Sequence, residues 1–309
     1  MIRYALLRLL QGIPVLLVVA TVTFALLRFL PGGPFDREKA LPPEILRNIE
    51  ARYQLDEPLW YQYASYLGGL VRGDLGPSYK YVGRDVAQIL GEALPVSAQL
   101  GTMALAIALV GGVSLGLAAG VRSTSALDRV VMLLSVLGMS VPSFVLGAGL
   151  ILGVGLYLNW LPAGLWEGGS YVVLPALTLA ALPLAYIAQL TRTSVIDVVD
   201  LDYVRTARAK GLSEGRVRRH HVLRNALLAV LTYFGPLLAI LLTGSFVVEK
   251  IYAIPGVGRF FVTAVTNRDY PLVLGVTLVY AAMVVLANLL VDLLYGWLDP
   301  RIRIGGERT

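Results

Sequence analysis

The sequence predicts an all-α polytopic membrane protein with six transmembrane helices, both termini cytoplasmic, and a small external segment between helices 1 and 2. Three observations carry that expectation. Hydrophobic residues make up 57% of the 309-residue chain and charged ones only 15%, against about 25% charged in ordinary soluble domains, and the mean hydropathy is +0.71. Charge is absent over Leu9–Leu27, Val96–Val121, Val130–Trp166, Gly168–Thr191, Ala226–Val248 and Tyr270–Val291; each run holds the roughly 20 apolar residues that carry a helix across about 30 Å of hydrocarbon. Cations also segregate. Fifteen lie on the side of the amino terminus: Arg3, Arg8, Arg122, Arg129, eight Lys/Arg between Arg192 and Arg224, and Arg301, Arg303 and Arg308. The short loops opposite hold only Lys250, Arg259 and Arg268, so the amino-terminal side is expected inside.

Residues 1–30 form the cytoplasmic amino terminus and the first span. Their apolar run exceeds the 7–15 residues of a signal-peptide core and no small-x-small site precedes Pro31, so they read as a helix that stays in the membrane. Arg28 can extend outward from its end. Residues 31–95 are the external segment, with seven cations balanced by nine acids. Within it, Pro42-Pro43-Glu44 followed by Ile45, Leu46, Ile49 and Tyr53 predicts a short amphipathic helix, and Trp60, Tyr61, Tyr63, Tyr66, Leu67 and Leu70 a second. About 65 residues make a cap but no autonomous core, so the segment should rest on the ends of the spans.

Residues 96–296 are the five-helix core. In its first helix Ala104, Ala108, Gly112, Gly116 and Gly120 recur every four residues, a small-residue stripe that lets a second helix approach closely. The Val130–Trp166 run is too long for one straight crossing; Pro142 and Asn159-Trp160-Leu161-Pro162 predict a kinked helix and then a surface turn. Pro175, Pro183 and Pro236 favour further kinks. Ionisable groups within the runs are nearly absent, and Asp292, at the inner end of the last span, reads as structural beside water or a basic neighbour. Residues 297–309 form a cytoplasmic tail.

The segment 192–225, RTSVIDVVDLDYVRTARAKGLSEGRVRRHHVLRN, is the main candidate site. Between Tyr203 and Gly211 small and apolar residues (Val204, Ala207, Ala209) alternate with Arg205, Arg208 and Lys210, a pattern for a short cytoplasmic helix with one face for a partner. Gly211 supplies a left-handed cap, and Ser213 an N-cap for a second basic helix. The net charge of +6 then describes a basic rim facing anionic lipid and protein partners, and nucleic acid is not expected.

Tyr203, Arg205, Thr206, Ala207, Arg208, Lys210, Gly211 and Leu212, with His221 and Arg224-Asn225-Ala226-Leu227, resemble the coupling loop of ABC-importer permeases of the dipeptide/oligopeptide/nickel family. Arg205-Thr206-Ala207 stands where the general loop motif has Glu-Ala-Ala, and Arg224 where it often has Pro. The resemblance runs the length of the chain: Pro31-Gly32-Gly33-Pro34, Gln62-Tyr63, Gly73-Asp74-Leu75-Gly76, Ile254-Pro255-Gly256-Val257-Gly258, Arg268-Asp269-Tyr270-Pro271, Asn288-Leu289, Asp292-Leu293-Leu294-Tyr295 and Asp299-Pro300-Arg301-Ile302-Arg303 occur in order. It is nearest the first of the two permease subunits. What it implies is a bacterial inner-membrane protein paired with a second, similar permease, two cytoplasmic ATPases that bind ATP and Mg, and an extracytoplasmic substrate-binding protein. Peptide cargo is the leading expectation, with nickel or another small solute as the alternative and a stand-alone secondary transporter as the competitor from another class. No catalytic, cofactor or metal site is expected in this chain. No lysine follows a Gly, so there is no Walker A sequence, and the two histidines, His220 and His221, are adjacent rather than four apart.

Overall fold

The structure is a computed structural model that describes residues 2–30, 33–35, 51, 53–243 and 245–298. Residues 45–50 and 52 of the expected helix over 45–53, and the tail beyond residue 298, lie outside the described residues. Among those described, every regular element is helical. In chain order the α-helices are α1 (Ile2–Phe29), α2 (Leu59–Val71), α3 (Val86–Val121), α4 (Ala126–Ser140), α5 (Ser143–Leu150), α6 (Val173–Val199), α7 (Asp202–Ala209), α8 (Glu214–Val217), α9 (Leu223–Thr243), α10 (Ser245–Ile251), α11 (Val257–Asn267) and α12 (Tyr270–Leu298), with short π or 3-10 helices over Ile151–Tyr157, Gly169–Val172 and Arg218–Val222. Four helices are long and apolar enough to cross a membrane, five if the bent pair α4 and α5 counts as one span. The run at 226–248 forms α9 and the start of α10.

The bundle has two ends. At one, the carboxyl end of α3 meets α6 and the segment that follows it through Leu117, Val121, Val195, Val198 and Val204. At the other, the start of α3 meets α11 and α12 through Val86, Ile89, Val257 and Leu272. Arg8 Nε lies 3.0 Å from Asp292 Oδ2, which gives Asp292 its expected basic neighbour and sets the start of α1 beside the end of α12. Arg28, at the far end of α1, stands over the Phe24 and Tyr270 rings at 5.4 and 5.6 Å.

The stripe of small residues does what its spacing predicts. Ala104, Ala108, Gly112, Gly116 and Gly120 are all buried, and α3 packs along them against α6 more extensively than any other helix pair. A Cβ at Gly112 would stand 2.7 Å from Ile187 Cγ2 and 2.9 Å from the Leu184 carbonyl; at Gly116 it would strike the Ala188 carbonyl and come within 2.6 Å of Thr191 Cβ. Two backbones this close gain dispersion contacts that no larger side chain permits.

The kink at Pro142 is sharper than expected. Val141 is extended, as a residue preceding proline prefers, Pro142 becomes the N-cap of α5, and α4 and the continuation of α5 to Tyr157 diverge by 107°. The proline therefore ends one helix and starts the next instead of bending a single one. A π-helix over Ile151–Tyr157 leads to the predicted surface turn, where Asn159 is left-handed and Trp160 is 74% exposed. Pro175 also differs from expectation: it occupies the first turn of α6, where a missing N–H is harmless, whereas Pro183 lies inside that helix.

The described residues between α1 and α3 form a cap resting on α1 and α12. Tyr63 and Tyr66 pack against Phe24. Asp269, fully buried, accepts hydrogen bonds from Ser78 Oγ and the Tyr79 and Lys80 amides while also accepting one from the Leu272 amide in the first turn of α12. A second buried carboxylate works in the same way. Gly256, the N-cap residue of α11, has no side chain to offer, and Glu249 of α10 instead accepts from the Arg259 amide at 3.1 Å, while Ser97 of α3 donates to Glu249 and accepts from the Val257 amide. A Cβ at Gly256 would collide with the Glu249 carboxylate, so the cap is supplied from another helix because the capped residue has vacated the space.

Candidate functional site

The segment between α6 and α9 folds as two short helices joined at Gly211. Val204 and Ala207 point inward and pack with Val195, Val217, Val222, Ala226 and Leu212. The face that alternation predicts is therefore real, but its small and apolar side is turned to the chain's own helices. Tyr203, Arg205, Thr206, Ala209 and Lys210 are exposed, as are Arg216 and Arg219 of the following turn. The outward face is thus cationic and aromatic.

Gly211 closes α7 with φ +77°. The Leu212 amide donates to the Ala207 carbonyl and the Gly211 amide to that of Arg208, the paired bonds of a Schellman motif, with Leu212 and Ala207 in the same apolar cluster. A Cβ at Gly211 would meet nothing, so what the position demands is the left-handed backbone alone. Ser213 holds the N-cap position of α8, as expected, though its side chain makes no capping bond.

Polar side chains fix this frame. Arg208 donates through Nε to Glu214 Oε1 at 3.0 Å and through Nη1 to the Val199 carbonyl at 3.2 Å, tying α7 to α8 and to the end of α6. Asn225 donates to the Tyr203 hydroxyl, which donates to the His221 carbonyl at 3.3 Å. Of the eight candidate residues, Arg208, Ala207, Gly211 and Leu212 thus build the segment, Tyr203 does so through its hydroxyl, and Arg205, Thr206 and Lys210 remain exposed, the Thr206 hydroxyl donating to the Asp202 carbonyl at 2.8 Å.

One ion pair at the base of the segment escapes sequence reading. Arg192, counted there as a loop cation, makes a two-pronged ion pair with buried Asp128, its Nε to Oδ1 and its Nη2 to Oδ2 at 2.8 Å. Asp128 also accepts from the Thr124 amide at 2.9 Å, while Ser125 caps the Asp128 amide at 3.2 Å. The loop's base is thereby bonded to the start of α4. The Ser125-x-x-Asp128 spacing was a legible capping box; its partner 64 residues away was not.

A bundle of apolar helices, several long enough to span a bilayer, with a basic, outward-facing helical hairpin at one end, defines a multi-pass membrane protein. Residues 112–304 match the family described as "Binding-protein-dependent transport system inner membrane component", and residues 1–101 its amino-terminal companion, "Binding-prot-dependent transport system membrane comp, N-term". The chain belongs to this family of bacterial inner-membrane transport components. It is 45% identical over 305 residues to the oligopeptide transport system permease protein OppB of Haemophilus influenzae, covering 98% of this chain and 100% of that one. It is 44% identical over 304 residues to the dipeptide transport system permease protein DppB of Bacillus subtilis, covering 98% and 99%. The Escherichia coli K12 oligopeptide permease OppB is 43% identical over 305 residues, covering 98% and 100%.

Proposed function

We propose that the chain is one transmembrane permease subunit of an ATP-driven importer of di- or oligopeptides, paired with a second, similar permease. The observation that carries this reading is the hairpin of α7 and α8: its inward residues lock it to α6, so a push on its outward face is delivered to the helix that packs most closely with α3. Two cytoplasmic ATPases, binding ATP and Mg, supply that push, and an extracytoplasmic binding protein delivers the cargo. The permease work is gating between two pore states, each favoured by different partner contacts. Peptide cargo is supported by the names of relatives that match nearly the whole chain. Six spans with both termini inside complete the reading, α9 with α10 supplying the sixth and the cation bias the orientation.

The test is reconstitution in liposomes. The chain alone should take up neither labelled di- and tripeptides nor nickel, with ATP or with an ion gradient. Joined to its second permease, ATPases and binding protein, it should import peptide when ATP is enclosed. Uptake by the single chain under an ion gradient would overturn the reading in favour of a secondary carrier, and import of nickel without peptide would reassign the cargo.

A further inference from the structure

A cavity of about 320 Å³ lies where the cap meets the ends of α1 and α12. Its floor is apolar, from Phe24 and Leu27 of α1 and Leu274 of α12. Its walls are polar and of both signs: Arg28 on one element, Asp74 on another, with Gln62, Tyr66, Tyr79 and Tyr270 between them. Arg28 has no carboxylate partner among the described residues; its guanidinium lies over two ring faces and beside the Tyr79 hydroxyl. Asp74 gives one oxygen to the Gly76 amide at 2.8 Å.

Two lining residues carry polar atoms that the fold leaves unmatched. Gln62 is 7% exposed and donates its amide to the Leu55 and Glu57 carbonyls, yet its Oε1 accepts nothing; the Tyr66 hydroxyl is buried and bonds to nothing. A buried polar atom without a partner is destabilising, and two around one cavity point to an occupant that would satisfy them. The lining asks for an acceptor group, anionic to suit Arg28 and Tyr66, and for an N–H donor, cationic to suit Gln62 Oε1, Asp74 and the tyrosine faces.

We propose that this cavity binds a zwitterionic aminoalkyl phosphate, with the phosphate at Arg28 and the ammonium between Gln62 and Asp74. Its place at the ends of two membrane helices, with an apolar floor, puts it at headgroup depth. The same chemistry can arrive as an ethanolamine phospholipid or as free phosphoethanolamine. The site is separate from the α7–α8 hairpin and stands whether or not the transport reading does.

The full chain, reconstituted in nanodiscs of mixed phosphatidylethanolamine and phosphatidylglycerol, is released into detergent and weighed by native mass spectrometry. Wild type should retain one ethanolamine lipid in preference to phosphatidylglycerol. Arg28→Gln should lower that retention about tenfold, the effect of removing one charge-assisted hydrogen bond, and Tyr66→Phe should lower it several-fold. Tyr66→Phe removes only an unmatched hydroxyl, so the lipid-free variant should melt no lower than wild type, which separates lost binding from lost folding. In parallel, soluble phosphoethanolamine should raise the melting temperature of delipidated wild type and not of Arg28→Gln. A shift with the soluble compound but no lipid retention assigns the site to a free ligand; retention without a shift assigns it to lipid. Equal retention of both lipids, or retention and melting shifts unchanged in both variants, would sink the proposal.

Discussion

At the residue scale, the α7–α8 hairpin separates positions that build it from positions that stay exposed. Gly211 builds: its left-handed backbone at φ +77° is unfavourable by about 1–2 kcal/mol for an L side chain, and worst for a β-branched one. Gly211→Val should therefore uncouple binding-protein-stimulated ATP hydrolysis from transport while inserting normally, whereas Gly211→Asn, tolerated in that region, should keep most of the rate. Ala207 also builds, since it is 5% exposed among apolar neighbours; Ala207→Trp should loosen the hairpin itself, seen as faster hydrogen exchange at residues 203–217. Arg205 stays exposed. Arg205→Glu should leave hydrogen exchange and melting unchanged yet weaken copurification with the ATPases severalfold, and normal copurification would remove Arg205 from the contact. In the cap, burial pushes the Tyr79 phenol from 10.0 up to about 12, nearby Arg28 opposing and Asp269 adding to the rise. Tyr66 moves likewise through burial and its neighbour Tyr63. A raised phenol pKa favours the protonated form in the folded state, so cap stability should be full below pH 10 and fall as pH rises towards about 12; spectrophotometric titration of tyrosinate, with Tyr79→Phe as the difference, reads it.

At the element scale, the α3–α6 seam is the strongest constraint. Gly116→Val would drive a methyl into the Ala188 carbonyl, which belongs to backbone and cannot yield cheaply. The change should cost about 1–3 kcal/mol and lower the melting temperature, while the same substitution at Gly153, where a Cβ meets nothing, should be near neutral. This seam was legible because a four-residue period of small side chains has one physical use between helices. The hairpin was legible for a similar reason: Gly211 and the alternation around Ala207 are local signals. What the sequence concealed was long-range pairing. Glu249 sits at the margin of a charge-free run and looks like an exposed loop acid, yet it is fully buried because Gly256 opens space for it to cap α11. Asp128 and Arg192 read as loop charges because nothing local reveals that they face one another. The break at Pro142 was foreseen as a bend, but its angle depends on both arms lying against α6, a tertiary fact.

At the scale of the whole molecule, the chain has two working ends, and their sidedness is directly measurable because it contains no cysteine. Single cysteines at Leu212 and Thr309 should react with membrane-impermeant maleimide only after the membrane is opened, and cysteines at Trp60, Glu167 and Arg259 in intact cells. An externally labelled Leu212 would remove the hairpin from any contact with cytoplasmic ATPases. The joint at Asp269 then has a consequence for how the ends communicate. The same carboxylate starts α12 and holds the turn at 78–80, so that turn is tied directly to the helix. Tilting one must tilt the other. With 29 residues, α12 is a rod of about 44 Å, and a rotation of about 5° at its cap end would displace its opposite tip by about 4 Å if it stays straight. That tip carries Asp292 and, through it, Arg8 of α1. Whatever leans on the cap thus has a lever arm through the bilayer, a second line of force that reaches the basic rim without passing along α6.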